Sequence, residues 1–207
     1  MRVAAGAAVW IAAALGYLIA EAVAAAAIGP QYNYLIDYIS SLGVPARSPR
    51  AAAMNAAFCW QGTLFLLGTL LVGPAASHRT RYQAAFVLFA TANAVGNILV
   101  AVVHSGSGAW VHGLGALLAI AGGNAAIVAG STSLSKSIGA PWYRVVSWLL
   151  AGAGYAGLTL FVLGANNVGL WERISVYSIL LWQTLTAILL LCAVRAVRKE
   201  ASRGPCR

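Results

Sequence analysis

Apolar runs of 20 residues or more recur six times along this chain, and nearly every charged side chain falls between them, Glu21 being the exception. A helix rises about 1.5 Å per residue, so about 20 apolar residues cover the hydrocarbon core of a bilayer. The segments 3–28, 51–72, 83–103, 110–130, 145–164 and 174–194 therefore predict an all-α fold, a polytopic membrane bundle of six transmembrane helices. Only 8% of the residues are charged, against about 25% in an ordinary soluble domain, so no stretch is polar enough for a separate globular unit. The expectation is one integral membrane domain over 1–207, ending in a basic tail at 195–207. A cleaved signal peptide is the alternative for the first segment, because Arg2 precedes an Ala-rich run. That run exceeds the usual h-region of about 7 to 15 residues, which favours an uncleaved helix.

The net charge of +9 does not point to nucleic acid, because the basic residues lie between apolar runs and in the tail rather than on one solvated face. Their distribution follows the positive-inside rule instead. With the N-terminus inside, the cytoplasmic set is Arg2, Arg79, Arg81, Lys136, Arg144, Arg195, Arg198, Lys199, Arg203 and Arg207, ten of the 13 basic residues. Arg47, Arg50 and Arg173 remain outside. This asymmetry predicts an N-in/C-in topology in the cell membrane, a bacterial plasma membrane being the expected one. Glu21, Asp37 and Glu172 then fall towards the extracytoplasmic face, where His104 and His112 bracket a short turn at 105–109, while His78 lies inside.

Cys59, Cys192 and Cys206 form neither a C-x-x-C pair nor an even set, so no disulfide framework or structural zinc site is implied. Gly115, Ala119 and Gly123 recur every four residues in the fourth segment and make a small-residue stripe for close helix packing. Tight packing within the bundle is the favoured use; a homo-oligomer or a membrane-protein partner is the other. Asn93, Asn97 and Asn124, with Gln61 and Gln183 near mid-depth, suggest a polar seam that joins helices. Trp142, Tyr143, Trp171, Tyr32 and Tyr34 sit at predicted helix ends, as in an interfacial aromatic belt.

The first long connection reads Tyr34-Leu-Ile-Asp-Tyr-Ile-Ser-Ser-Leu-Gly43, with Ile39-Ser40-x-Leu42-Gly43 at its core. His112-x-x-Gly115-Ala116 opens the fourth helix, and Gly169-x-x-Glu172-Arg173 opens the sixth. In order and placement these elements resemble those of the uncharacterised prokaryotic family called domain of unknown function 998, over nearly the whole chain. The resemblance implies a six-helix membrane fold and supplies no reaction. It also implies one departure: the family element commonly carries an acid where this chain has Ser41.

Ionisable groups at or within a bilayer tend to mark sites. The candidate ligand-binding set is Asp37, Ser40, His112, Glu172 and Arg173, expected to meet in one pocket at the extracytoplasmic face. The competing expectation is that Glu172 pairs locally with Arg47, Arg50 or Arg173, and that the histidines sit in interfacial water. Three activities suit such a pocket. A transport or assembly accessory would bind a membrane lipid or other amphiphile by a mixed-charge head-group site. A membrane-embedded metal-dependent lipid hydrolase would use His104 and His112 with a carboxylate, although their eight-residue spacing is not that of H-E-x-x-H. An acid-initiated prenyl-lipid cyclase would use Glu21 as its proton donor. No phosphate-binding loop, nucleophile elbow or dinucleotide fingerprint occurs, and the sequence does not identify a cofactor.

Overall fold

The computed structural model describes residues 1–75 and 81–202. His78, Arg79, Arg203, Cys206 and Arg207 lie outside the described residues. Among those described, the chain forms α1 (Arg2–Ile28), α2 (Ala51–Val72), α3 (Arg81–Val102), α4 (Ala109–Ile138), α5 (Tyr143–Val162) and α6 (Val168–Ser202), with short 3-10 turns at Gly29–Gln31, Ile39–Gly43 and Gly73–Ala75. All six α-helices are long and apolar enough to cross a membrane, and no strand forms among the described residues. The chain is a multi-pass membrane protein.

Two helices run past the apolar segments that predict them. The fourth continues from the expected end at Gly130 to Ile138 through a polar stretch. Ser131 and Thr132 donate their hydroxyls back to the Val128 carbonyl, and Ser135 to that of Thr132, so these side chains satisfy themselves on the helix they extend. Gly139, at φ 70°, then ends it. The sixth begins at Val168 rather than 174, so Glu172 and Arg173 lie inside the helix instead of preceding it. Both are buried and bonded within the protein, which a hydropathy count cannot register.

Helices adjacent in sequence pack antiparallel, and α6 closes the bundle by packing on α1, α4 and α5. The closest approach is between α3 and α4. A Cβ on Gly96 would lie 2.2 Å from the Ala119 backbone nitrogen, while one on Gly115 would meet Leu99 at 2.8 Å. Gly123 faces Ile179 of α6, so the small-residue stripe is used inside the molecule. Deeper in the bundle Trp10, Phe65, Phe86 and Trp182 form an aromatic core, with Trp10 centred 5.7 Å from Trp182 and 6.0 Å from Phe65. The seam expected of the amides is present: Gln61 donates to Gln183 Oε1 at 2.7 Å, and Gln183 donates to the Trp10 carbonyl at 2.9 Å. Connections 29–50, 103–108 and 163–167 gather at one end, here called the long-loop end.

Candidate functional site

The site is built on the 29–50 connection, which folds back over the long-loop end. Its first turn is local. The Asn33 side chain accepts the Leu35 amide at 2.9 Å, and the Asp37 carboxylate accepts the Asn33 amide at 2.8 Å. The other Asp37 oxygen stands 3.9 Å from Arg47 Nη2, a partly solvated pair of the kind that contributes little. Asp37 thus closes a turn and borders a polar outer cavity of about 260 Å³ with Tyr32, Ser41 and Arg47. Ser41 is buried and donates to the Tyr38 carbonyl at 2.7 Å.

Residues Ile39–Gly43 then dip into the bundle, with Ile39 and Leu42 fully buried. A helical turn leaves its first N–H groups without partners, and in a low-dielectric setting each must be met. Glu172 meets them from α6: its Oε2 accepts the Ile39 amide at 2.6 Å, and the Ser40 amide is a second backbone partner. Gly169, one turn earlier on α6, makes room for the connection itself. A Cβ there would sit 2.4 Å from the Asp37 carbonyl oxygen.

Arg173 fastens the same stretch. Its Nε donates to Glu21 Oε1 at 3.1 Å, and its Nη1 donates to the carbonyls of Tyr34, Asp37 and Gly169 at 2.7, 2.9 and 3.0 Å. Nη2 donates to the Tyr32 hydroxyl, and the guanidinium lies over the Tyr32 and Tyr34 rings, 5.5 and 4.7 Å from their centroids. The planar guanidinium fork suits this many acceptors in fixed directions. Burial pushes the Tyr32 and Tyr34 hydroxyls above their ordinary range, so both stay protonated, with Arg173 opposing the shift. The remaining Glu21 oxygen accepts the Tyr177 hydroxyl at 3.0 Å. Glu21 is therefore held as the partner of Arg173 and Tyr177, and Glu172 makes no salt bridge among the described residues. The local pairing of Glu172 with an arginine expected from sequence gives way to a pair between α1 and α6.

Two cavities meet at Glu172. One is a cleft of about 180 Å³ beside α4 and α5, with apolar lining from Gly113, Leu117, Leu158, Phe161 and Val162 and polar lining from Ser40, Ser105, His112 and Glu172. The other, about 40 Å³, lies inside the bundle among Tyr17, Gln61, Asn93, Asn97 and Val176. Ser40, Ala116 and Glu172 line both, so little more than their side chains divides them. His112 Nδ1 is 2.8 Å from the Val103 carbonyl. A carbonyl only accepts, so Nδ1 carries the hydrogen, and in the neutral ring Nε2 is left as an acceptor.

Of the residues expected to converge, Ser40, His112 and Glu172 share the cleft, Asp37 borders a separate cavity, and Arg173 stands behind as the fastening. His104 Nδ1 is buried without a hydrogen-bond partner, and no group of three His, Cys, Asp or Glu side chains suited to a metal gathers among the described residues. Tyr17, Tyr32, Tyr34 and Tyr177 are site residues that sequence reasoning passes over. The signal was the spacing of Gly169, Arg173 and Tyr177, one turn apart along α6 and so on one face.

All three short elements noted in the sequence are parts of this assembly. The chain matches the family described as Protein of unknown function (DUF998) over residues 10–189. It belongs to that family. No curated protein and no solved structure matches it. For this DUF998 protein the short elements acquire physical roles: Ile39–Gly43 is the docked turn, Gly169-x-x-Glu172-Arg173 is its receptor, and His112 and Ala116 form the facing wall.

Proposed function

We propose that this DUF998 protein binds a membrane lipid or other amphiphile in the cleft beside α4 and α5, as an accessory to transport or assembly. The observation that carries the reading is the mixed lining of the cleft, apolar at Leu117, Leu158, Phe161 and Val162 and polar at Ser40, His112 and the buried Glu172 carboxylate. An acyl or prenyl chain suits the apolar residues, and a polar head suits Ser40, His112 and Glu172. In the N-in/C-in orientation that the basic residues favour, this cleft opens at the extracytoplasmic leaflet.

Gly113 provides a clean test, because it lines the cleft and a Cβ added there meets nothing within 4 Å. Gly113→Phe should fill the cleft while leaving the bundle intact. Native mass spectrometry of the full chain, released from mild detergent, should show retained lipid on the unaltered protein and loss of that lipid on the variant. Equal retention by both proteins would place the ligand elsewhere and defeat the reading.

A further inference from the structure

We propose that the cavity inside the bundle receives a primary ammonium group, so that the amphiphile in the cleft is a cationic amine. This rests on the amphiphile reading above and adds the class of head group. The first support is charge. Glu21 and Arg173 neutralise each other at 3.1 Å, whereas Glu172, which feels the Arg173 charge without contacting it, is held by backbone N–H groups and makes no salt bridge among the described residues. A buried carboxylate left in that state calls for a positive partner or a proton.

The second support is an unused acceptor. Asn93 is buried and lines the cavity, and its Nδ2 donates to the Ala119 carbonyl at 2.6 Å. That carbonyl can only accept, which fixes the amide orientation and leaves Oδ1, the acceptor, without a partner. An ammonium group carries three N–H donors and no acceptor. Glu172 and Asn93 Oδ1 supply two acceptors, and Ser40, Tyr17 or Asn97, which line the same cavity, can supply the third. The cavity, of about 40 Å³, has room for such a group. Ser40, Ala116 and Glu172, common to both cavities, mark where the alkyl chain would pass from one to the other. An anionic head group would meet Glu172 as a like charge.

The experiment is a thermal-shift titration of the delipidated full chain in detergent with dodecylamine, dodecanol and dodecanoate, which share a chain and differ in the head. Dodecylamine should half-saturate the shift at a concentration roughly tenfold below dodecanol, as a charge-assisted contact implies, and dodecanoate should give no shift. In Glu172→Gln the side-chain oxygen can still accept the Ile39 amide, so the turn is kept while the charge is lost, and the preference for amine over alcohol should vanish. Equal affinity for amine and alcohol in the unaltered protein overturns the ammonium inference, and that comparison needs no variant to fold. An amine preference that survives Glu172→Gln overturns it as well. If amine and alcohol bind equally and Gly113→Phe abolishes both, the cleft reading stands and the ammonium inference alone falls. If no probe shifts the protein, or Gly113→Phe changes nothing, the cleft reading itself fails.

Discussion

The Arg173 guanidinium donates to the Glu21 carboxylate at 3.1 Å across 152 positions of sequence, joining the first helix to the last where both side chains are almost wholly withdrawn from solvent. Removing one partner leaves the other as an uncompensated buried charge, which costs about 3 to 5 kcal/mol. Arg173→Gln should therefore lower thermal stability in detergent strongly, and Glu21→Gln should do likewise. The double variant should lose less than the sum of the two, because neither charge remains. Additive losses would mean that the pair is not energetically coupled.

Tyr32 offers a pH test. Its hydroxyl is raised above the ordinary value of 10.0 by burial, so the folded protein holds this proton at a pH where the unfolded chain has released it. The sign follows: the contribution is fully present below about pH 10 and is lost as pH rises beyond it, at up to about 1.4 kcal/mol per pH unit for one proton. Tyr32→Phe should make the alkaline decline in stability shallower while costing about 1.5 to 3 kcal/mol at neutral pH through loss of the Arg173 contact. Denaturation midpoints measured between pH 8 and 11 check both parts; an unchanged alkaline slope would contradict the first.

Gly96 should tolerate no side chain. Its Cβ position collides with the α4 backbone, and overpacking of this kind costs about 1 to 3 kcal/mol. Gly96→Ala should lower the melting temperature in detergent, whereas Leu88→Ala on the exposed face of the same helix should change it little. Equal effects would mean that α3 and α4 are not in close contact.

Orientation is open to chemical labelling. Ala46 is exposed in the 29–50 connection, and the asymmetry of basic residues predicts that this connection is outside and Cys206 inside. In intact cells an impermeant thiol reagent should modify Ala46→Cys, in a background lacking Cys59 and Cys192, and should leave Cys206 untouched. Modification of Cys206 would invert the topology.

How much of this was legible in the sequence depended on the range of the interaction. The limits of α1 and α2 can be read because Gly29-Pro30, Arg50 and Gly73-Pro74 punctuate uninterrupted apolar runs. The start of α6 cannot, because a hydropathy count treats Glu172 and Arg173 as solvent-seeking when each has its partners inside the fold. The long-loop end could be chosen as the candidate site from its acids and histidines alone. The pairing within it could not, since nothing local distinguishes Glu21 from Glu172 as the partner of Arg173. Tyr32 and Tyr34 resembled interfacial anchors for the same reason: an aromatic ring at a helix end gives no sign of a guanidinium arriving from the far end of the chain.

Gly169 and Glu172 bear on how the molecule comes to be made. The stretch 37–40 leaves the ribosome early, yet the hollow that admits the Asp37 backbone and the carboxylate that takes the Ile39 amide belong to the helix synthesised last. Until that helix enters the membrane, the turn can pack on α1 and α2 but lacks these two partners, and the long-loop end of a partly synthesised chain stays unfinished. Completion of the site is thereby tied to completion of the polypeptide, and a chain cut short before the sixth helix would lack both the Glu172 carboxylate and the support that shapes the opposite wall.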